Sequence, residues 1–162
     1  MPPKKDDDQA IGRSKGGLTT KIHTLVDALG NPLRFLLTAG QVHDLVGADA
    51  LLPQMAADVL IADKAFDADD RALRPLAAVG KSAVIPPRRT RLTPRGFDQD
   101  LYKARHLIEN FFAKLKQFRA IATRCDKTAR NFLAALHLAA TTIWLNWRHA
   151  LVRIAWRSMN AG

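Results

Sequence analysis

Four polar side chains recur at helical spacing in the second half of the chain. They are separated by three, four and seven residues: Tyr102, Arg105, Glu109 and Lys116. Since successive helical residues turn by about 100°, this spacing places them along one side of an α-helix. A second, apolar stripe runs through the same stretch: Leu107, Ile108, Phe111, Phe112, Leu115 and Phe118. The two stripes predict a helix over residues 101–118 that docks on the core and presents an acid flanked by two cations and a phenol.

A second acid closes a short apolar run. Residues 58–63 read DVLIAD and predict a buried central strand with Asp63 at its end. In open α/β sheets, ligands and metals gather at the carboxyl ends of strands. An acid at that position can equally be a helix cap, and Arg105 and Glu109 can equally be an ordinary surface pair. The functional interpretation requires Asp63 to lie across from Glu109.

Two carboxylates from different elements, beside a basic surface, suit Mg²⁺ or Mn²⁺ as a cofactor. Hard cations take carboxylate oxygens and keep positions for water and phosphate. Two such ions about 3.5–4 Å apart activate a nucleophile and stabilise the leaving oxygen of a phosphodiester. We therefore predict Asp63 and Glu109 as metal ligands. Arg105 and Lys116 would contact phosphates, with Tyr102 as an accessory group.

The composition indicates a polyanionic partner. The 162 residues carry a net charge of +10 and are 48% hydrophobic, which fits one folded, nucleic-acid-binding domain. An anionic membrane surface is the competing partner, but the most apolar run, residues 132–145, is too short for a membrane span. A single cysteine excludes an internal disulfide or a cysteine-rich zinc site, and residues 1–8 carry no secretory signal. We expect a cytoplasmic, DNA-associated protein without a membrane partner.

Lysines and arginines that could contact DNA lie in three stretches of the chain. These are residues 12–21, the proline-containing loop 86–100 and the region around the predicted 101–118 helix. The candidates are Arg13, Lys15, Lys21, Arg88, Arg89, Arg91, Arg95, Lys114, Arg119, Arg124 and Lys127. Contacts of this kind bind independently of sequence and weaken as salt rises. The alternative for the loop is a solvated, disordered segment.

Strand and helix patterns alternate along the chain. A hairpin is predicted by strands 19–28 and 33–38 around a Gly-Asn-Pro turn. The later elements are a helix over 44–55 capped by Asp44, the strand 58–63, a helix over 67–79, a strand over 81–85, the helix 101–118, a short strand or extended link over 120–124 and a helix from Thr128 to about Arg148. This order predicts an α/β fold with a mixed sheet, the hairpin antiparallel and the later strands joined by helical crossovers.

Three blocks in order carry a resemblance to a known family. They are GRSKGGLTTKIHTLVDALGNPLRFLLTAGQVHD, LIADKAFDADD and LYKARHLIENFFAKLKQFRAIATRCDKTARNF. The spacing of Tyr102, Arg105, Glu109 and Lys116 is similar to the YREK signature of DDE transposases of bacterial insertion sequences, in the insertion-sequence-four and insertion-sequence-five superfamily. The resemblance spans about residues 11–147, with Asp63 as the second catalytic Asp. It implies an RNase H-like fold and metal-dependent cleavage and strand transfer at insertion-sequence ends.

The chain departs from the family pattern at the first catalytic Asp, which belongs on a strand before the hairpin. Asp6, Asp7 and Asp8 stand in a polar stretch, and Asp27 adjoins the hairpin turn. We therefore expect a flexible lead-in over 1–17, a partial RNase H-like catalytic domain over 18–148 without its first strand, and a C-terminal tail over 149–162.

That departure shapes the expected activity and partners. The chain would be the C-terminal, second-reading-frame part of a transposase, inactive alone. Its partners would be transposon-end and target DNA, an upstream transposase fragment carrying the first Asp, and a second copy in a homodimer.

Two alternatives remain open from the sequence. The chain could be a catalytically inactive DNA-binding or regulatory transposase fragment. It could also be a basic structural protein that binds nucleic acid without metal, which predicts Asp63 and Glu109 far apart in the fold.

Overall fold

The computed structural model describes residues 9–93, 95–145 and 154–161. Its strands are β1 Gly12–Ser14, β2 Gly17–Val26, β3 Pro32–Ala39, β4 Val59–Ala62, β5 Ser82–Val84 and β6 Ile154–Ala161. Within this part of the chain they form one six-stranded sheet in the order β1-β2-β6-β4-β5, with β3 also paired to β2. The α/β prediction is thereby confirmed.

The predicted hairpin is confirmed as β2 and β3, which pair antiparallel from Thr20–Ala39 to Val26–Pro32. Its turn is closed by Asp27, whose carboxylate accepts the backbone N–H groups of Leu29 and Asn31 at 2.8 and 2.9 Å. The expected flexible lead-in is wrong for its last residues. Gly12–Ser14 forms β1 and pairs with Gly17–Thr19, while residues 1–8 lie outside the described part.

The other half of the sheet is parallel. β4 pairs parallel with β5 and, on its other edge, with β6. β6 runs antiparallel to β2, so it is the strand that joins the hairpin half to the parallel half. Residues 154–161 are therefore a central strand, which corrects the expectation of a C-terminal tail.

Helices cover the sheet. They are α1 Asp44–Leu51, α2 Arg74–Ala78, α3 Gln99–Tyr102, α4 His106–Leu115, α5 Arg119–Ala122 and α6 Ala129–Leu145. Short 3₁₀ turns occupy Leu52–Gln54, Lys64–Phe66 and Lys103–Arg105, and a π-helical turn precedes α2 at Asp69–Leu73. None of the described helices is long and apolar enough to span a membrane.

Three local predictions are wrong. His43, not Asp44, caps α1, because its ring accepts the Leu45 N–H at 3.2 Å. Asp44 instead pairs with Lys21 at 2.7 Å. The expected strand or extended link at 120–124 is largely the helix α5. The predicted 67–79 helix is divided between the π-helical turn and α2, with Asp67 drawn into side-chain contacts described below.

Two apolar clusters lie on opposite faces of the sheet. Side chains of successive strand residues alternate between faces, and accordingly Leu60 joins one cluster and Ile61 the other. The Leu60 cluster packs under α1 and α2, and the Ile61 cluster packs under α4 and α6. This packing docks α4 against the sheet face beside β4.

Candidate active site

Asp63 directly follows the buried strand β4. The three residues before it, Leu60, Ile61 and Ala62, are at most 1% exposed. Asp63 is still in extended conformation, and its carbonyl accepts the Phe66 N–H at 2.9 Å as the chain turns away. Its side chain is 36% exposed. A rigid strand thus delivers a half-exposed carboxylate to the edge of the sheet.

The predicted 101–118 helix is interrupted, which corrects the expectation of one continuous helix. A 3₁₀ turn at Lys103–Arg105 separates α3 from α4, and 3₁₀ geometry winds the backbone more tightly than an α-helix. The apolar stripe nonetheless docks α4 as expected, with Ile108, Phe111, Phe112 and Leu115 buried. Glu109, in the first turn of α4, is consequently held beside the buried face.

Arg105 joins the two predicted metal ligands. Its Nη1 donates to Oδ2 of Asp63 at 3.2 Å, and its Nη2 donates to Oε1 of Glu109 at 2.7 Å. The guanidinium carbon also lies 5.5 Å from the ring centroid of Tyr102. Four of the five predicted catalytic residues therefore meet around one guanidinium, contrary to the nucleic-acid-binding alternative that separates Asp63 from Glu109.

Tyr102 stands at the edge of this cluster. Its ring packs edge-on against Phe97 at 5.4 Å between centroids. Burial raises the pKa of the Tyr102 phenol, the nearby Asp63 and Glu109 charges raise it further, and Arg105 opposes them. The phenol is therefore a hydrogen-bond donor at neutral pH.

Lys116 is the fifth predicted residue, and it lies farther along the same helix. It is exposed at the C-terminal boundary of α4. Since each helical residue rises 1.5 Å, Lys116 stands about 10 Å along the axis from Glu109. Lys116 therefore lies outside the group of side chains that surround the Arg105 guanidinium.

The donor set fits a hard divalent cation in part. Asp63 and Glu109 supply carboxylate oxygens that one guanidinium can bridge, and such oxygens are the preferred ligands of Mg²⁺ and Mn²⁺. In the described ranges, no group of three or more His, Cys, Asp or Glu side chains is arranged to hold a metal. The arrangement therefore provides two protein ligands and leaves the remaining positions to water, phosphate or a further carboxylate.

A second acid–arginine cluster lies just beyond Asp63 and was missed by sequence reasoning. Asp67, whose side chain is 1% exposed, accepts the Arg88 N–H and the Arg91 guanidinium, both at 2.7 Å. Arg95 reaches it at 3.4 Å. The signal in the sequence was an acid followed by an arginine-rich loop, but nothing in the spacing showed that the loop folds back.

This cluster changes the interpretation of the basic loop. Arg88 also donates to the carbonyls of Lys64 and Ala65. The loop is therefore held on the segment that follows Asp63 rather than extended into solvent. Arg89 is the exposed arginine of this loop.

Two other predicted DNA contacts are engaged within the fold. Lys21 donates to the Val42 carbonyl at 2.6 Å besides its pair with Asp44. Arg124 donates to the Gln9 and Ala10 carbonyls, lies over the Phe132 ring, and has its pKa lowered by burial.

The remaining basic candidates divide by exposure. Lys114 is partly buried, and desolvation lowers its pKa. The exposed members of the predicted set are Arg13, Lys15, Arg89, Arg119 and Lys127.

An apolar surface pocket lies apart from these groups. It opens between α1 and α2, and its lining includes Leu52, Pro53, Pro75, Leu76 and Val79. None of the lining residues belongs to the Asp63–Arg105–Glu109 cluster, so shape alone does not mark the candidate active site.

Comparison with known proteins identifies the family to which the chain is similar. The Transposase DDE domain family matches residues 2–145. A curated putative transposase for insertion sequence element IS6501 of Brucella ovis is 43% identical over 129 residues, which is 79% of this chain and 99% of that protein. No solved structure is detectably similar. The extent of both matches shows that the chain belongs to the DDE transposase family of bacterial insertion sequences.

Proposed function

We propose that the chain acts in DNA transposition, as the C-terminal part of a DDE transposase that cleaves and joins DNA at insertion-sequence ends. The observation that carries this proposal is the Arg105 bridge between Asp63 and Glu109. Arg105 contacts Asp63, which lies 42 residues earlier in the chain, at the point where strand β4 ends. An ordinary surface pair, such as Arg105 with Glu109 alone, would not also include an acid from the end of a buried strand.

The residues would divide the work as follows. Asp63 and Glu109 would hold Mg²⁺ or Mn²⁺, which when bound activates a nucleophile and stabilises a leaving oxygen. Arg105 would then exchange its carboxylate contacts for the phosphate under attack, since a guanidinium matches phosphate oxygens in a bidentate way. Tyr102 would donate a hydrogen bond from its protonated phenol, and Lys116 would contact a phosphate farther along the strand.

The sheet supports an RNase H-like core. A parallel strand carries an acid at its carboxyl end, an antiparallel hairpin lies in the other half of the sheet, and a helix brings a second acid to the same edge. The DNA partner is supported by the charge of +10 and by the exposed cations Arg13, Lys15, Arg89, Arg119 and Lys127.

A catalytically inactive DNA-binding or regulatory fragment is the second candidate. It is favoured by one observation: in the described ranges the site offers two acids, and both are engaged with Arg105. Two carboxylates with one neutralising guanidinium attract a dication less strongly than three. In either case, we expect little cleavage by this chain alone.

Manganese binding tests whether Asp63 and Glu109 form a metal site. Titration of the full chain with Mn²⁺, followed by electron paramagnetic resonance, should show one class of site. We expect Asp63→Asn and Glu109→Gln to weaken binding at least tenfold, because each removes a charged ligand. Asp70→Asn is the matched control, since Asp70 is an exposed acid that pairs with Arg74 four residues along the chain. Equal affinity in all four proteins would overturn the site.

Nicking of supercoiled DNA separates the two candidates. A transposase catalytic domain should nick the DNA weakly but measurably when Mn²⁺ is present, and this weak nicking should disappear in Asp63→Asn. Strong nicking that disappears in Asp63→Asn would establish an enzyme that is active alone. Salt-dependent DNA binding without nicking, unchanged by Asp63→Asn, would favour the regulatory fragment.

A further inference from the structure

The short hairpin formed by β1 and the start of β2 has two different faces. Its three residue pairs are Gly12 with Thr19, Arg13 with Leu18, and Ser14 with Gly17. Side chains of successive strand residues alternate between the two faces, and residues directly opposite each other share a face. Arg13 and Leu18 therefore stand together on one face of the hairpin, and the two flanking pairs form the other.

The face formed by the flanking pairs is held against the rest of the fold. The Thr19 carbonyl accepts the Gly40 N–H at 3.0 Å, and the Thr19 hydroxyl donates to the Ser14 hydroxyl at 3.0 Å. A Cβ atom at Gly40 would overlap Thr19, and a Cβ atom at Gly12 would overlap the Gln41 side chain. These close contacts hold the hairpin in one orientation.

The opposite face is open to solvent and cationic. Leu18 is 66% exposed, Arg13 is exposed beside it, and the exposed Lys15 lies in the turn between the strands. No acid occurs in residues 9–26. A single exposed leucine is common on protein surfaces, but this one is fixed directly opposite an arginine that has no acid nearby in sequence. The combination favours an anionic partner with an apolar group within reach.

The hairpin projects from the end of the sheet that carries Asp63. Ala62 of β4 pairs with Trp156 of β6, which in turn pairs with Leu25 of β2. Since β2 runs opposite to β4, its first residues lie beyond the carboxyl end of β4. At about 3.3 Å per strand residue, Leu18 lies about 23 Å from Leu25 along β2. One turn of B-DNA is about 34 Å long, so a duplex bound at Asp63 can also reach the hairpin.

We propose that the β1–β2 hairpin enters the major groove of DNA bound at the candidate active site and reads its bases. The major groove admits a two-stranded β-ribbon, and it exposes the thymine methyl group and the guanine N7 and O6 acceptors. Leu18 packs on a thymine methyl group, Arg13 donates to a guanine, and Lys15 pairs with a phosphate. This inference rests on the DNA substrate of the proposed function. It goes beyond that function because phosphate contacts alone carry no sequence information.

Removal of the thymine methyl group tests the contact of Leu18. The full chain is titrated with two duplexes of one mixed sequence, one containing thymine and the other uracil throughout. We expect the thymine duplex to bind about fourfold more tightly, which is the gain from burying one methyl group. Leu18→Ser should bind both duplexes equally, whereas the matched control Leu138→Ser, at an exposed leucine of α6, should keep the preference. A preference that is absent from the unaltered chain, or unchanged in Leu18→Ser, would overturn the groove contact.

Replacement of guanine by 7-deazaguanine tests the contact of Arg13, because it removes the N7 acceptor and leaves the phosphates unchanged. The unaltered chain should bind the modified duplex at least about fivefold more weakly. Arg13→Ala should bind the two duplexes equally. The control Arg119→Ala, at an exposed arginine outside the hairpin, should weaken binding to both and keep their ratio. An Arg13→Ala variant that also keeps this ratio would show a phosphate contact and overturn base reading by Arg13.

The outcomes separate this inference from the proposed function. If the Leu18 and Arg13 variants behave as their controls while DNA binding stays salt-dependent, the base-reading hairpin is overturned and the DNA partner stands. If the unaltered chain binds neither duplex at low salt, the proposed function itself fails. Both variants should keep the melting temperature of the unaltered chain, because both side chains are exposed. A lowered melting temperature would show that these side chains support the fold instead.

Discussion

Two aspartates four residues apart, Asp63 and Asp67, are both bound by arginine, yet they are built differently. The Asp63 side chain is 36% exposed and shares the single guanidinium of Arg105 with Glu109. The Asp67 side chain is 1% exposed and is surrounded by a backbone N–H and two arginines. The Asp67 carboxylate has a donor at each of its oxygens, whereas the Asp63 carboxylate faces Arg105 on one side and solvent on the other.

The difference in exposure distinguishes a carboxylate that can exchange its partner for a ligand from one that holds the fold together. A half-exposed carboxylate with lone pairs to spare can exchange an arginine for a cation at modest cost, because solvent compensates each partner in turn. A buried carboxylate whose two oxygens are both bonded cannot exchange its arginine at such a cost. Removal of any partner would leave an unpaired charge in a poorly solvated site. We therefore propose that the Asp63 cluster binds a ligand, whereas the Asp67 cluster positions the basic loop.

The largest effect that this comparison predicts is on stability at Asp67. Asp67→Asn should lower the free energy of unfolding by about 3–5 kcal/mol, because Arg91 and Arg95 lose the charge they face in a buried setting. Urea denaturation measures the change. The control Asp70→Asn, at an exposed pair, should stay within about 0.5 kcal/mol. Equal effects at the two positions would erase the distinction between the clusters.

The next effect concerns a buried group that titrates. Burial lowers the pKa of His23 to about 4, with Asp44 opposing and Lys21 adding to the shift. A depressed pKa means that the unfolded chain binds the proton more readily. Stability contributed by neutral His23 is thus present above pH 6.5 and lost as the pH falls towards 4, by up to about 3 kcal/mol.

Replacement of His23 checks this pH dependence. His23→Gln should flatten the stability profile between pH 4 and 6.5, whereas His106→Gln, at an exposed histidine, should leave it unchanged. A wild-type profile that is already flat in this window would show that protonated His23 is tolerated in the fold.

A smaller effect distinguishes structural cations from DNA-binding ones. Arg124→Met should cost about 2 kcal/mol of stability, because two backbone carbonyls lose a charged donor. Lys127→Met should leave stability unchanged but reduce the slope of DNA affinity against salt by about 1, as expected when one phosphate is no longer neutralised by a lysine. The pair is measured by urea denaturation and by DNA titration at several salt concentrations. A reversal of the two effects would contradict the division made from exposure.

The smallest stability effect should be at the candidate active site itself. Asp63→Asn should change the free energy of unfolding by less than about 1 kcal/mol, because its contact with Arg105 is partly solvated. Its Mn²⁺ affinity should nevertheless fall at least tenfold. A loss of stability as large as that of Asp67→Asn would make Asp63 an architectural residue.

Local patterns of apolar and polar residues predicted most of the fold. The alternation in Thr19–Ala28 and the apolar run before Asp63 predicted β2 and β4, and the two-stripe pattern predicted how α4 docks. These features depend on side chains that face one neighbour surface, so periodicity reveals them. The sequence left open whether Asp63 lies across from Glu109, and the contacts of Arg105 with both acids show that it does.

Features that depend on contacts between residues far apart in the chain were not predicted from the sequence. The 3₁₀ turn at Lys103–Arg105 interrupts an unbroken helical pattern. Asp67 was placed at a helix start because its partners lie more than twenty residues away. Residues 154–161 read as a tail because an isolated strand shows no sign of the two edges it will join. No local signal exists for contacts of that kind.

The central place of β6 has a kinetic consequence. Thr20 pairs with Ala161, so the central pairing of the sheet joins residues from near the two ends of the described sequence. Folds that depend on contacts between such distant residues form slowly. During synthesis, β2 and β4 leave the ribosome long before β6, and their facing edges stay available to other strands. Pulse-labelled hydrogen exchange during refolding should show the β2–β3 ladder protected first and the β4–β6 ladder last. The interval between the two is the time during which the facing edges of β2 and β4 remain unpaired.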